Sequence, residues 1–172
     1  MRSTRGFAAV ALMLAALAVL AAAPAASAHG KGKDPLRLVA EQTQFEFLDL
    51  GTPGPSLGDE FVISETLYRR GRDVGMSGVV CTNVHAMAPY DVLTWQCLVT
   101  LSLRGGQITL QGLIEIQGEE DMGPFTLAIT GGTGKYSGAA GTARFRGRGP
   151  TTGVYRLRFD KQKKHHGHHR GR

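Results

Sequence analysis

Two carboxylates, a pair of cysteines and a cluster of histidines are the residues through which this chain could do chemistry. Glu65 shares its strand face with Phe61, Ile63 and Leu67, and an acid on an apolar face needs a partner or an upward-shifted pKa. Glu46 is a second case: strict alternation puts it with Leu48 and Leu50, opposite Phe45 and Phe47. A carboxyl held away from water serves as a general acid or base; the bland alternative for both is a rim position in water. Asn83, His85, Trp95 and Tyr155 are the inward groups expected to line a cavity with these catalytic candidates. Asn83 and His85 are also the expected partners of Glu65.

Cys81 and Cys97 are the only cysteines. An even count in an exported chain favours a disulfide, and both point inward from adjacent strands of one hairpin that turns near Ala88-Pro89. Facing each other directly, they would set Asn83 opposite Trp95 and His85 opposite Leu93. Such a bridge closes a loop of about 15 residues and contributes on the order of 3 kcal/mol. His165, His166, His168 and His169 lie in a low-complexity basic run, Lys161 to Arg170. Imidazoles so close together suit Zn, Cu or Ni, and the expectation is adventitious divalent metal at the tail. The chemistry of the body itself is expected to need no cofactor.

Eight strands must position these groups: about 37–50, 58–67, 76–86, 93–103, 107–117, 124–130, 140–148 and 152–160. Short alternating strands with closely spaced turns predict an all-β fold, an antiparallel eight-stranded barrel over residues 37–160, able to hold one small ligand. Leu93, Trp95, Cys97, Val99, Leu101 and Leu103 share one face, as do Ile108, Leu110, Gly112, Ile114 and Ile116. Ala143 and Phe145 face in while Arg144, Arg146 and Arg148 face out; Tyr155, Leu157 and Phe159 likewise oppose Arg156 and Arg158. These arginine ladders read as a solvated outer wall that also guards an edge.

Ala128-Ile129-Thr130-Gly131-Gly132-Thr133-Gly134-Lys135-Tyr136 invites a phosphate-loop reading that its spacing denies. A Walker loop needs glycine five residues before the Gly-Lys pair and Ser or Thr after the lysine, where Ile129 and Tyr136 stand. A dinucleotide fingerprint needs glycine where Ser137 stands, and a helix next. The run is expected to be a tight β-to-β turn, with Gly131, Gly132 and Gly134 supplying positive φ.

Arg2 and Arg5, an apolar run from Phe7 to Ala23 and the small residues Ala26-Ser27-Ala28 predict a signal peptide over 1–28, cleaved before His29, and a secreted protein. Residues 29–36 form a flexible lead-in, and 161–172 a disordered tail. No later stretch approaches a spanning helix. Of the 20 basic residues, two fall in the leader and five in the tail, leaving thirteen against 14 acids. A near-neutral body argues against a specific nucleic-acid partner, while a homo-oligomer is compatible with it.

The segment from Ala128 to Gly141 resembles the "AITGGTGxYxGAxG" run of the allene oxide cyclase and dirigent barrel group. The likeness extends through Ser56-Leu57-Gly58-Asp59, Leu67-Tyr68, Val74-Gly75-Met76-Ser77-Gly78 and Val80-Cys81, about residues 45 to 148. It implies the same barrel. It also implies that Glu46 matches the glutamate with which plant cyclases polarise their epoxide, and Cys81 their cavity cysteine, a free-thiol alternative to the disulfide. Leu48 and Glu65 stand where the group has asparagines, and Gln111-Gly112-Leu113-Ile114 where it has aromatics, so cyclisation of the plant substrate is not expected. The expectation is a cofactor-free barrel that accommodates a hydrophobic small molecule as isomerase, cyclase or stereochemistry-directing auxiliary. The alternative is a non-catalytic secreted binding or interaction protein whose tail meets metals or polyanions.

Overall fold

The computed structural model describes residues 35–86, 92–117 and 123–161. The expected leader over 1–28, nearly all of the 29–36 lead-in and the His-rich tail fall outside them. Eight strands run as β1 Leu36–Leu48, β2 Glu60–Arg69, β3 Arg72–Ala86, β4 Val92–Leu103, β5 Gly106–Gln117, β6 Phe125–Gly132, β7 Gly141–Gly147 and β8 Thr152–Phe159. Each pairs antiparallel with the next, and β8 returns to β1 to close the barrel. Closure gives every strand a hydrogen-bonded neighbour on both sides, so no strand is left as the open edge of a sheet.

Alternation along the strands sorts the side chains. One half of the interior is solid: Leu38, Leu67, Leu101, Ile108 and Leu157 are fully buried there. The other half, at the end where β1, β3, β5 and β7 finish, carries Phe61, Trp95, Phe125 and Phe145. Phe145 lies on Gly153, where a Cβ would come within 2.1 Å of its ring. Absence of a side chain at Gly153 is what lets that aromatic turn across the barrel.

Four register shifts interrupt the ladders, and two of them move an expected site residue. Between Gln42 and Gln44 the β1–β2 register slips. Leu38 and Ala40 face in before the slip, whereas Phe45 and Phe47 pair with the inward Ile63 and Phe61 after it. A bulge adds one residue and so exchanges the two faces. Between Asn83 and His85 the β3–β4 register slips as well, and His85 pairs with Thr94 rather than Leu93.

The glycine-rich run corrects another expectation. Gly131 and Gly132 belong to β6, and only Gly134 of the three has positive φ, at 57°. Gly132 is required by proximity instead, since a Cβ would sit 2.6 Å from the Tyr136 carbonyl oxygen and 2.7 Å from that of Gln107. Gly134–Tyr136 then forms one turn of 3-10 helix. The Lys135 amide donates to the Gly105 carbonyl and the Thr133 amide to Gln107, tying this connection to the β4–β5 hairpin. The run is a structural clasp at the solid end of the barrel.

Across the barrel, Asp59 organises the connection from β1 to β2. Its buried carboxylate accepts from the amides of Ser56 at 2.7 Å and Leu50 at 2.9 Å, and from the Ser56 hydroxyl at 3.0 Å. The Ser56 amide, followed by that of Leu50, outweighs desolvation and holds the acid below the usual carboxylate range. Among the described residues no helix is long and apolar enough to cross a membrane.

Candidate functional site

The aromatic half of the interior holds a partly open cavity of about 60 Å³. Its wall is apolar except at one place, where Glu65 from β2 and Tyr155 from β8 reach in. Ser77, opposite Glu65 across the β2–β3 pair, donates a short hydrogen bond from its hydroxyl to Glu65 Oε2. The Tyr155 hydroxyl donates to the same oxygen at 3.1 Å. All three side chains are buried. Oε1 has no hydrogen-bond partner among the described residues, and the carboxyl borders the cavity.

Burial is the largest influence on Glu65 and raises its pKa; the hydrogen bonds from Ser77 and Tyr155 oppose it without overcoming it. Tyr155 is pushed well above its ordinary value, by desolvation first and then by the negative charge of Glu65. Because Oε2 already accepts two hydrogen bonds, a proton on this acid belongs on Oε1, the oxygen without a protein partner. The arrangement therefore offers the cavity one carboxylic acid proton from a group oriented on its other side. That is the requirement for a general acid.

Cys81 and Cys97 are directly opposite on β3 and β4, with Cα atoms 4.1 Å apart, and are joined in a disulfide. The bridge forms part of the cavity wall. No thiol is left there, so the cysteine of the plant cyclases has no counterpart in this state.

The remaining expected residues divide. Asn83 and Trp95 face inward and are opposite each other, as the hairpin register predicts. They lie beyond the disulfide towards the end where β3 finishes and β4 begins, where Trp95 packs on Phe61 with ring centroids 4.9 Å apart. Asn83 Nδ2 and Trp95 Nε1 are both buried without a hydrogen-bond partner among the described residues. Glu46 and His85 are corrections: the bulges turn both to the outer surface, where they are exposed. Glu46 borders a surface depression with Gln44, Val62 and Ser64. Neither Asn83 nor His85 partners Glu65; Ser77 and Tyr155 do. Ser77 is the residue that sequence reasoning missed. Its signal was its place on the inward parity of Cys81, within the Val74-Gly75-Met76-Ser77-Gly78 motif.

Closed antiparallel topology and an acid seated in the wall of an apolar cavity place this chain among small closed β-barrels with an internal pocket. It belongs to the allene oxide cyclase barrel like domain family, whose pattern it matches over residues 36–158. No curated protein sequence matches it. Among solved structures, a pyocyanin demethylase is similar with 28% identity and a TM-score of 0.62, covering 73% of this chain and 99% of that one. A pterocarpan synthase dirigent protein shares the fold at 14% identity and a TM-score of 0.52, over 71% of this chain and 80% of that one. So does a nonspecific heme-binding cyclase that catalyses a 4 + 2 cycloaddition in neoabyssomicin biosynthesis. Its identity is 14% and its TM-score 0.53, over 74% of this chain and 66% of that one.

The last of these corrects the expectation that such a barrel works without a cofactor: a cyclase of this fold is described as binding heme, so cofactor independence does not come with the fold. The cavity here does not fit a heme. It measures about 60 Å³, its cysteines are bonded to each other, and His85 points away from it. Among the described residues no group of three or more His, Cys, Asp or Glu is placed to hold a metal ion. The expected tail ligands His165, His166, His168 and His169 lie outside those residues.

Proposed function

We propose that this protein is an exported isomerase or cyclase that encloses a hydrophobic small molecule and acts on it with Glu65 as general acid. The observation that carries the proposal is the buried carboxyl whose Oε2 accepts from both Ser77 and Tyr155 while the group borders the cavity. Protonation of a substrate oxygen by Oε1 generates an electron-poor centre, and the apolar walls fix the conformation in which a nearby alkene closes on it. The proton returns to Oε1 when the product loses its own, so the acid is regenerated. Ser77 and Tyr155 are positioning residues in this scheme. Phe47, half-exposed beside Trp95, and Phe125 would have to move to admit a ligand larger than the cavity.

Small-molecule sites commonly span about 300–1,000 Å³, and the smaller cavity here favours a second reading, capture without turnover. Self-association would use the part of the barrel's outer wall where Val62, Val80 and Leu98 form an exposed apolar row in register across β2, β3 and β4.

Mass spectrometry of molecules retained by the protein from its native culture tests the function. A retained apolar compound converted to an isomer of equal mass by wild type, and not by Glu65→Gln, supports catalysis. Retention by both proteins without conversion selects the binding reading. Retention unaffected by filling the cavity with Ile114→Trp removes the interior site from both.

A further inference from the structure

Three neighbouring strands carry a concentration of charge for which the small-molecule site has no use. On the outer wall Arg37 of β1 pairs in register with Arg156 of β8, and Arg156 pairs with Arg144 of β7. Arg158 continues the face along β8, and Arg146 and Arg148 continue it from β7. All six are exposed, and none makes an ion pair with a described residue. Like charges directly opposite across a ladder destabilise a sheet, and here two such pairs share one arginine. Only Glu41 supplies an acid on the adjoining part of β1, opposite Thr152 rather than an arginine.

We infer that this face is a docking surface for an anionic polysaccharide bearing sulfate or phosphate groups. Neighbouring strands are about 4.8 Å apart, so the row Arg37–Arg156–Arg144 spans roughly 10 Å, while alternate residues along β7 recur at about 6.8 Å. A linear polymer with regularly repeated oxyanions meets such a grid at several points at once. Every cation on it is arginine, whose planar fork binds tetrahedral oxyanions through two parallel hydrogen bonds. A membrane is disfavoured because the one exposed large apolar residue on β7 or β8, Phe159, has the opposite parity to Arg156 and Arg158 and stacks on Tyr136. Nucleic acid is disfavoured because the face has no aromatic on which bases could stack, and no helix or ribbon stands out from it to enter a groove.

The test measures affinity of the full chain for a size-defined heparin oligosaccharide over a series of salt concentrations. Arg37→Gln/Arg144→Gln/Arg156→Gln is compared with Arg69→Gln/Arg72→Gln/Arg104→Gln, which removes the same charge elsewhere and leaves the basic tail in place. The face variant should bind about tenfold more weakly and lose about two released counterions from its salt slope, while the control changes less than about threefold. Equal losses in both would reduce the effect to net charge and overturn the proposal. Tighter binding of single-stranded DNA or of phosphatidylglycerol vesicles through the same arginines would assign the face to another partner and overturn it too. Lysine at the three positions keeps charge and fold; it should bind several-fold more weakly than wild type, and undiminished affinity would refute the arginine-specific seat.

Discussion

Tyr155 and Glu65, 90 residues apart in sequence, meet inside the barrel at 3.1 Å from hydroxyl to carboxylate oxygen. The contact spans the interior from β8 to β2, two strands separated by β1. It makes an ionisable side chain on one strand depend on the placement of another near the end of the chain. The first two predictions follow from it.

Glu65→Gln should stabilise the protein at neutral pH. The carboxyl's pKa is raised by burial, so the folded state holds the proton more tightly than the unfolded state does. Its favourable contribution is complete below the unfolded value near 4.5 and disappears as pH rises through the folded value. Thermal melts across pH should show the variant more stable than wild type at high pH, with the gain vanishing in acid. A variant less stable than wild type at neutral pH contradicts this sign.

Tyr155→Phe and Ser77→Ala should each move the Glu65 titration further upward. Both hydroxyls donate to Oε2 and favour the ionised form, so losing either leaves desolvation less opposed. NMR titration of the labelled carboxyl reads the change directly. Each variant should also lose about 1 kcal/mol of stability. A downward movement would show that the hydroxyls do not act on the carboxylate.

Much of this was legible in the sequence. In β4 and β5 an uninterrupted two-residue period fixed the buried face from Trp95 to Leu101 and from Ile108 to Ile114, and the cysteine register followed from it. Alternation also placed Glu65 and Tyr155 inside. What it could not show is where the alternation breaks. The slips at Gln42/Gln44 and Asn83/His85 each add a residue without an unusual residue type to announce it. Glu46 and His85 stand just after them, so both changed sides. Ser77 escaped notice because its role depends on cross-strand register with β2, which no single strand pattern contains.

Replacing both cysteines with alanine should lower stability by about 3 kcal/mol, since the bridge closes a loop between residues 16 apart. Denaturant melts of the double variant and of the reduced wild type should agree. The oxidised wild type should also show no alkylatable thiol. Retained stability in both would mean that the β3–β4 ladder alone constrains the unfolded chain.

Asp59→Ala should loosen the β1–β2 connection without unfolding the barrel, because its carboxylate is the shared acceptor for Leu50 and Ser56. Amide exchange should accelerate at both residues, and proteolysis should begin within 49–58. The acid's pKa is lowered, so its contribution is present above the ordinary carboxylate range and lost as pH falls through the folded value. The wild-type connection should therefore become protease-sensitive in acid. Unchanged cleavage would place the loop's order elsewhere.

The pairing that closes the barrel also decides how the molecule can be held. Leu36, where β1 begins, is the register partner of Leu157, two residues before β8 ends. Chain therefore enters and leaves the barrel side by side, at the solid end built on Leu38, Leu101 and Leu157 and away from the aromatic end. An attachment made through either terminus pulls on one point of the fold and across one ladder. A protein joined directly at residue 35 or residue 161 therefore starts from the end of the barrel opposite the cavity. Orientation on a surface is thus written into which two strands complete the circle.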